Sequence, residues 1–189
     1  NLRLIATAVS STQINLKWTS NTRASSYLLY RNERFVERIS STTSTYNDEN
    51  LTPDTFYQYK LIAVINSINS LPSWDNEWTF PKKPSLLSLS SVCGNGGKAT
   101  IKLTATGSIF RVYNDSTNGT LLLESSNGSF ELPFTNQNTT FYVSVIARSG
   151  KESERRAVNV RTQTTFESII LDENGVRATT QSSCTNSLL

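Results

Sequence analysis

Apolar and polar residues alternate through most of the chain. In 12–18, "TQINLKW", Ile14, Leu16 and Trp18 fall on one side and polar residues on the other. A period of two marks a half-buried β-strand. The same period runs through 3–9 ("RLIATAV") and 25–31 ("SSYLLYR"), where Tyr27 and Leu29 alternate with Leu28 and Tyr30. It continues in 34–39 ("RFVERI"), 44–48 ("STYND") and 55–65 ("TFYQYKLIAVI"), and 76–80 ("NEWTF") closes the set. Turn signals divide these runs, at "SST" (10–12) and at Asn32-Glu33. Seven short strands within about 80 residues, with no helical period, predict an antiparallel β-sandwich.

"PKKP" at Pro81–Pro84 interrupts the pattern, and two prolines with two lysines predict a stiff, solvated connector. Strand-like segments then resume in 98–106, 108–114, 120–125, 128–133, 139–147 and 157–163, predicting a second sandwich. Asn118-Gly119 and Asn127-Gly128 read as tight hairpin turns, because this pair suits positive φ. The last stretch contains "ESIILDENGVRATT", a predicted hairpin or two early strands around Asn174-Gly175. The expected fold is therefore all-β, with tandem antiparallel β-sandwiches at 1–81 and 82–163. Residues 164–189 are read as the start of a third module, with a swapped strand or partner-binding extension as the alternative.

One short motif is more specific than alternation. Leu51, Pro53, Thr55 and Tyr57 occupy every second position just ahead of a strongly apolar strand. With the strand ending at Trp18 and the "YLLYR" strand, this pattern resembles a fibronectin type III domain over 1–81. The resemblance implies a tyrosine corner, in which the Tyr57 hydroxyl bonds to backbone near the start of the motif. Leu51 would then be its packing partner and Trp18 the core aromatic. "LPSWDNEW", with two tryptophans close together, departs from the family pattern.

The second block is similar to an immunoglobulin-like module common in large surface proteins of Bacteroidetes. "FRVYND", "NGTLLLE", "SFELP", "TTFYVSV" and "ESERRAV" carry the likeness in order over 92–162. Val112 stands where that family usually has Trp, and Lys151 where some members carry Cys. The pairing of modules resembles exported proteins of gliding or biofilm-forming bacteria. It implies a non-catalytic adhesion or spacer segment of a cell-surface protein, exported by the type IX secretion system. The partner would be a protein or glycan at the cell surface, or outer-membrane secretion or surface-complex proteins. The alternatives are accessory modules of a secreted carbohydrate-active or proteolytic enzyme, and a eukaryotic adhesion-receptor ectodomain.

Composition narrows the chemistry. The chain has no histidine, which removes Ser-His-Asp and Cys-His triads and His-ligated zinc. Residues 1–81 carry seven basic and seven acidic side chains, and 84–163 carry eight and five, too sparse a cationic footprint for nucleic acid. No apolar run is long enough for a transmembrane helix. Cys93 and Cys184 belong to no CxxC pair, so zinc is not expected; they would pair if the tail folds back over the second module, but "SSC" at the tail echoes "SSVC" and reads rather as placing Cys184 in the third module. The absence of Met agrees with an excised or mature piece of a longer chain. No cofactor is expected.

The carboxylate pairs Asp48/Glu49, Asp75/Glu77 and Glu152/Glu154 read as solvated turn or strand-edge residues rather than a glycosidase pair. Asp172-Glu173-Asn174-Gly175 lacks the alternating oxygens of an EF-hand loop. Trp74 and Trp78 are the candidate binding aromatics, on a loop where they could stack on sugars or anchor an interface. Against this, Trp78 would pack into the sandwich and Trp74 would cover the domain end. Arg148, Lys151, Arg155 and Arg156 on the last hairpin of the second block could meet an anionic glycan or partner, or serve as a solvated edge. The Asn-x-Ser/Thr sequons at Asn50, Asn114, Asn118, Asn127 and Asn138 are largely what an Asn-, Ser- and Thr-rich chain yields by chance. "DST" (115–117) resembles the Bacteroidetes O-glycosylation signal, which would put a sugar on Ser116.

Overall fold

The computed structural model describes residues 2–93, 96–163, 166–171 and 177–183. Among them all regular structure is β. The chain divides into two compact units, one of residues 1–82 with 146–153, the other of 83–145 with 154–189.

In the first unit, β1 (Leu4–Ala8), β2 (Ile14–Trp18) and β5 (Thr45–Asp48) form one sheet in the order β1-β2-β5. β3 (Ser26–Arg31), β4 (Arg34–Ser40), β6 (Phe56–Ile65) and β7 (Ile68–Asn69) form the other, ordered β4-β3-β6-β7, and β8 (Ser73–Trp78) also pairs with β6. Alternation decides the burial. Ile14, Leu16 and Trp18 face inward from β2, while Tyr57, Tyr59, Leu61 and Ala63 face inward from β6. Trp18 meets Tyr27 edge-on, with ring centroids 5.5 Å apart. The last strand begins at Ser73, three residues ahead of the expected "NEWTF", so Trp74 lies on a strand and not on a loop.

Two devices hold the two sheets of this unit. At the tyrosine corner, the Thr52 N–H donates to Tyr57 Oη at 2.9 Å over buried Leu51. Asn50 and Asp54 around it take left-handed φ angles of 58° and 48°. Thr79, fully buried, adds a clasp that alternation does not reveal: its Oγ1 donates to Thr52 O at 2.7 Å and accepts from Thr55 N at 3.0 Å. The Pro53 carbonyl accepts from Thr55 Oγ1 at 3.0 Å. At the opposite seam, Leu4 N–H donates to Ser73 Oγ (2.9 Å) and Ala6 N–H to Asp75 Oδ2 (2.7 Å). Side chains of β8 thus occupy the open edge of β1, which would otherwise invite a foreign strand.

In the second unit, β9 (Ser85–Leu89), β11 (Thr100–Thr104) and β14 (Ser129–Glu131) form a sheet in the order β14-β11-β9. β12 (Ile109–Tyr113), β13 (Leu121–Ser125), β15 (Thr139–Ile146) and β16 (Arg156–Val160) form the other, ordered β13-β12-β15-β16. β10 (Val92–Cys93) pairs in parallel with β17 (Thr162–Gln163). Val112, the residue in the usual Trp position, is fully buried among Phe110, Phe141, Val143 and Val158. β9 and β10 escape sequence reading because their seven residues show little period.

Both Asn-Gly expectations need correction. β12 and β13 are joined by a longer loop, in which Thr120 N–H donates to Asn114 Oδ1 at 2.7 Å, and Gly119 is not among the positive-φ residues. Gly128 does take φ 69°, but it links β13 to β14 in the other sheet and closes no hairpin. The expected turn at Asn32-Glu33 is present, and both residues take left-handed φ angles, of 48° and 66°. β18 (Phe166–Leu171) and β19 (Arg177–Ser183) pair antiparallel, while the Asn174-Gly175 turn, the Asp172–Gly175 loop and the Cys93–Cys184 pairing lie outside the described residues.

Candidate functional site

The outward face of the larger sheet in the first unit collects most of the aromatic residues that its core does not use. Side chains alternate across a sheet, so the positions between the buried ones on β6 are Phe56, Gln58, Lys60 and Ile62. On β8 the corresponding outward positions are Trp74, Asn76 and Trp78. The register places Phe35 opposite Tyr30, Tyr30 opposite Lys60 and Lys60 opposite Trp74. These four residues form one row across β4, β3, β6 and β8. Next along the ladder is Gln58 opposite Asn76, and then Phe56 opposite Trp78.

Phe35 is 56%, Trp74 43% and Phe56 42% exposed. Exposed rings on this scale, grouped on one face, are what single scattered apolar residues are not. Lys60 organises the row. Its Nζ lies 4.5 Å from the Tyr30 centroid and 5.0 Å from that of Trp74, and pairs with Glu33 Oε2 at 2.7 Å. Tyr30 meets Phe35 at 5.6 Å with 73° between planes, and Phe56 meets Trp78 at 5.6 Å with 60°. Cation and edge contacts of this kind hold rings in place. Sequence reading singled out Trp74 and Trp78 but missed Tyr30, Phe35 and Phe56, whose outward direction depends on register.

On the inner side of the same sheet lies a buried polar network. Asp48, read from sequence as a solvated turn residue, is 4% exposed. It pairs with Arg31 Nη1 at 2.7 Å and accepts from the Tyr59 hydroxyl at 2.7 Å. Burial first, then the hydrogen bond to Asp48, push the Tyr59 pKa well above the ordinary tyrosine value. Burial acts to lower Arg31, but the hydrogen bond and charge of Asp48 outweigh it and hold the guanidinium above its usual value. A half-exposed arginine on a buried, doubly bonded carboxylate is a structural arrangement.

The other candidates are more dispersed. Lys151 Nζ lies 3.0 Å from Glu77 Oε1 and 4.7 Å from the Phe80 ring centroid. Arg155 stacks 3.4 Å from the Tyr113 centroid and donates to Asp115 O at 2.8 Å. Arg156 donates to Pro84 O at 2.7 Å. Arg148 is exposed. Three of these four cations therefore serve local structure, and they are divided between the two units. Ser116 sits on an exposed turn, its Oγ donating to Asp115 Oδ1 at 3.2 Å. The Thr117 N–H, and then the Ser116 hydroxyl, hold the Asp115 carboxyl below its ordinary value. Among the described residues no group of three or more acidic or Cys side chains is arranged to hold a metal, and no helix is long and apolar enough to cross a membrane.

Residues 81–163 match the family described as "Ig-like domain CHU_C associated". A two-domain fibronectin type III segment of chicken tenascin aligns with 86% of this chain and 99% of its own, at 19% identity and a TM-score of 0.51. The chain pairs a fibronectin type III fold with an Ig-like module. Fibronectin(III)-like modules of Clostridium thermocellum CbhA cover 87% of this chain and 95% of their own at 15% identity, but a TM-score of 0.41 is too loose to support an assignment. A search of curated proteins returns no match. Fibronectin type III and Ig-like domains are typically non-catalytic modules of extracellular type.

Proposed function

We propose that the chain is a non-catalytic segment of a large exported bacterial cell-surface protein, in which successive sandwiches space and present contact surfaces. Its role is adhesive, as in gliding or surface-complex components, and its route outward is type IX secretion. The partner is a protein or glycan at the cell surface. The observation that supports this reading best is the aromatic face of the first unit, where Phe35, Phe56 and Trp74 are each more than two-fifths exposed. Such a face is costly to keep in water unless a ligand covers it. The exposed Asp115–Thr117 turn is the place where a surface protein of this kind would carry an O-linked sugar, on Ser116.

The test is immunolabelling of intact source cells with antibody raised against residues 1–163. Labelling without permeabilisation, abolished by brief external protease, is the expected result. Signal that emerges only after lysis contradicts the proposal. Mass spectrometry of the native protein, read at Ser116, checks the modification separately.

A further inference from the structure

We propose that the aromatic face of the first unit binds a single chain of neutral polysaccharide. This rests on the surface-contact role above and names the ligand class. The face is a ladder with an amide rung between two aromatic ones. Lys60 and Trp74 form one rung, Gln58 and Asn76 the next, Phe56 and Trp78 the third, and Tyr30 and Phe35 extend the first. Same-side residues repeat about every 6.6 Å along a strand, so the aromatic rungs lie about 13 Å apart with the amides midway. A pyranose ring offers C–H groups on its flat faces and hydroxyls around its rim. Aromatic rings meet the first, and carboxamides, each both donor and acceptor, meet the second.

Charge argues for a neutral ligand. The charged group within the rungs is Lys60, paired with Glu33 at 2.7 Å and held over two rings, while Arg38, opposite Leu28 on the next row, donates to Ser26 Oγ at 2.8 Å. That leaves no unpaired charge within the three rungs themselves to select an anionic glycan. Ring geometry argues for one chain rather than a crystalline surface. Interplanar angles of 73° and 60° are edge-to-face contacts, not the coplanar array that a flat polymer face needs. A single chain can turn with the rings. The rings are also fixed before the ligand arrives, which lowers the entropy cost of binding.

The experiment is affinity electrophoresis of the 189-residue chain through gels containing a soluble β-1,4-glucan ether, galactomannan, β-1,3-glucan or polygalacturonate. At least one neutral polymer should retard the protein. Trp74→Ala and Phe35→Ser should each weaken that retardation about tenfold, as loss of a central aromatic contact does. Thermal unfolding identifies any variant that no longer folds, and the exposed Phe35 site serves if Trp74→Ala fails. No retardation by any neutral polymer, retardation of both folded variants as strong as wild type, or retardation by polygalacturonate alone overturns the proposal. So does sedimentation showing a wild-type dimer that Trp74→Ala converts to monomer, since a second copy would then own the face. The surface-exposure reading stands or falls on cell labelling instead, and each result leaves the other independent.

Discussion

The Thr52 N–H donates to the Tyr57 hydroxyl across 2.9 Å, and this single bond ties the loop before β6 to the strand itself. Tyr57 is 8% exposed, so the oxygen has little water to fall back on. Tyr57→Phe keeps the ring and removes the acceptor, and should lower the stability of the first unit by about 1 kcal/mol. Urea titration of the first unit's transition measures it. An unchanged midpoint would mean the hydroxyl fastens nothing.

Tyr59 makes the first unit sensitive to alkali. Its folded pKa is raised above the ordinary 10.0, by burial and by the hydrogen bond to Asp48. As pH climbs past that ordinary value, the unfolded chain loses the phenol proton while the native state keeps it. The native state then binds more protons, so stability falls with rising pH. The contribution is complete below pH 10 and declines above it. Tyr59→Phe should flatten the decline in melting temperature between roughly pH 9 and 11, although Tyr46, raised chiefly by burial, leaves part of the slope.

Asp75 closes the exposed edge of β1 through the Ala6 N–H. Asp75→Ala should cost about 1 kcal/mol and, more visibly, raise light scattering on mild heating as the freed edge recruits other strands. Asp75→Asn retains an acceptor oxygen and should behave nearly as wild type. Equal scattering from both variants would dissociate the carboxylate from edge protection.

Gly128 takes φ 69°, and a Cβ there would stand 2.7 Å from the Leu103 carbonyl oxygen. That oxygen belongs to β11, so relief requires moving a core strand. Gly128→Ala should destabilise the second unit by about 1–3 kcal/mol and leave the first unit's transition unmoved. Differential scanning calorimetry separates the two.

The strands and the corner were legible because each is written locally. Ile14, Leu16 and Trp18 alternate within one segment, and Leu51 to Tyr57 form one unbroken motif. The aromatic row was not, since its four members come from four strands and meet only through register. A bulge between Leu29 and Tyr30 brings Phe35, rather than a neighbour, opposite Tyr30. Trp74 looked like a loop residue because "LPS" precedes it and polar residues surround it. Those polar residues are strand positions: Asp75 reaches the β1 edge and Asn76 the outer face. Asp48 misled in the opposite direction, because a carboxylate among Asn, Asp and Glu gives no local hint of an arginine and a tyrosine waiting across the sandwich.

The parallel pairing of β10 with β17 has a mechanical consequence. These two short strands lie near opposite ends of the second sandwich in sequence, and they run the same way. If a load draws the ends of that sandwich apart, it pulls the two strands past one another along their length. Val92, Cys93, Thr162 and Gln163 then share the strain together, as does the 3.2 Å bond from Val92 N–H to Arg161 O. An antiparallel pair at the same place would be pulled open one bond at a time. Under such a load the pair would yield in shear, its bonds sharing the force, rather than peel apart.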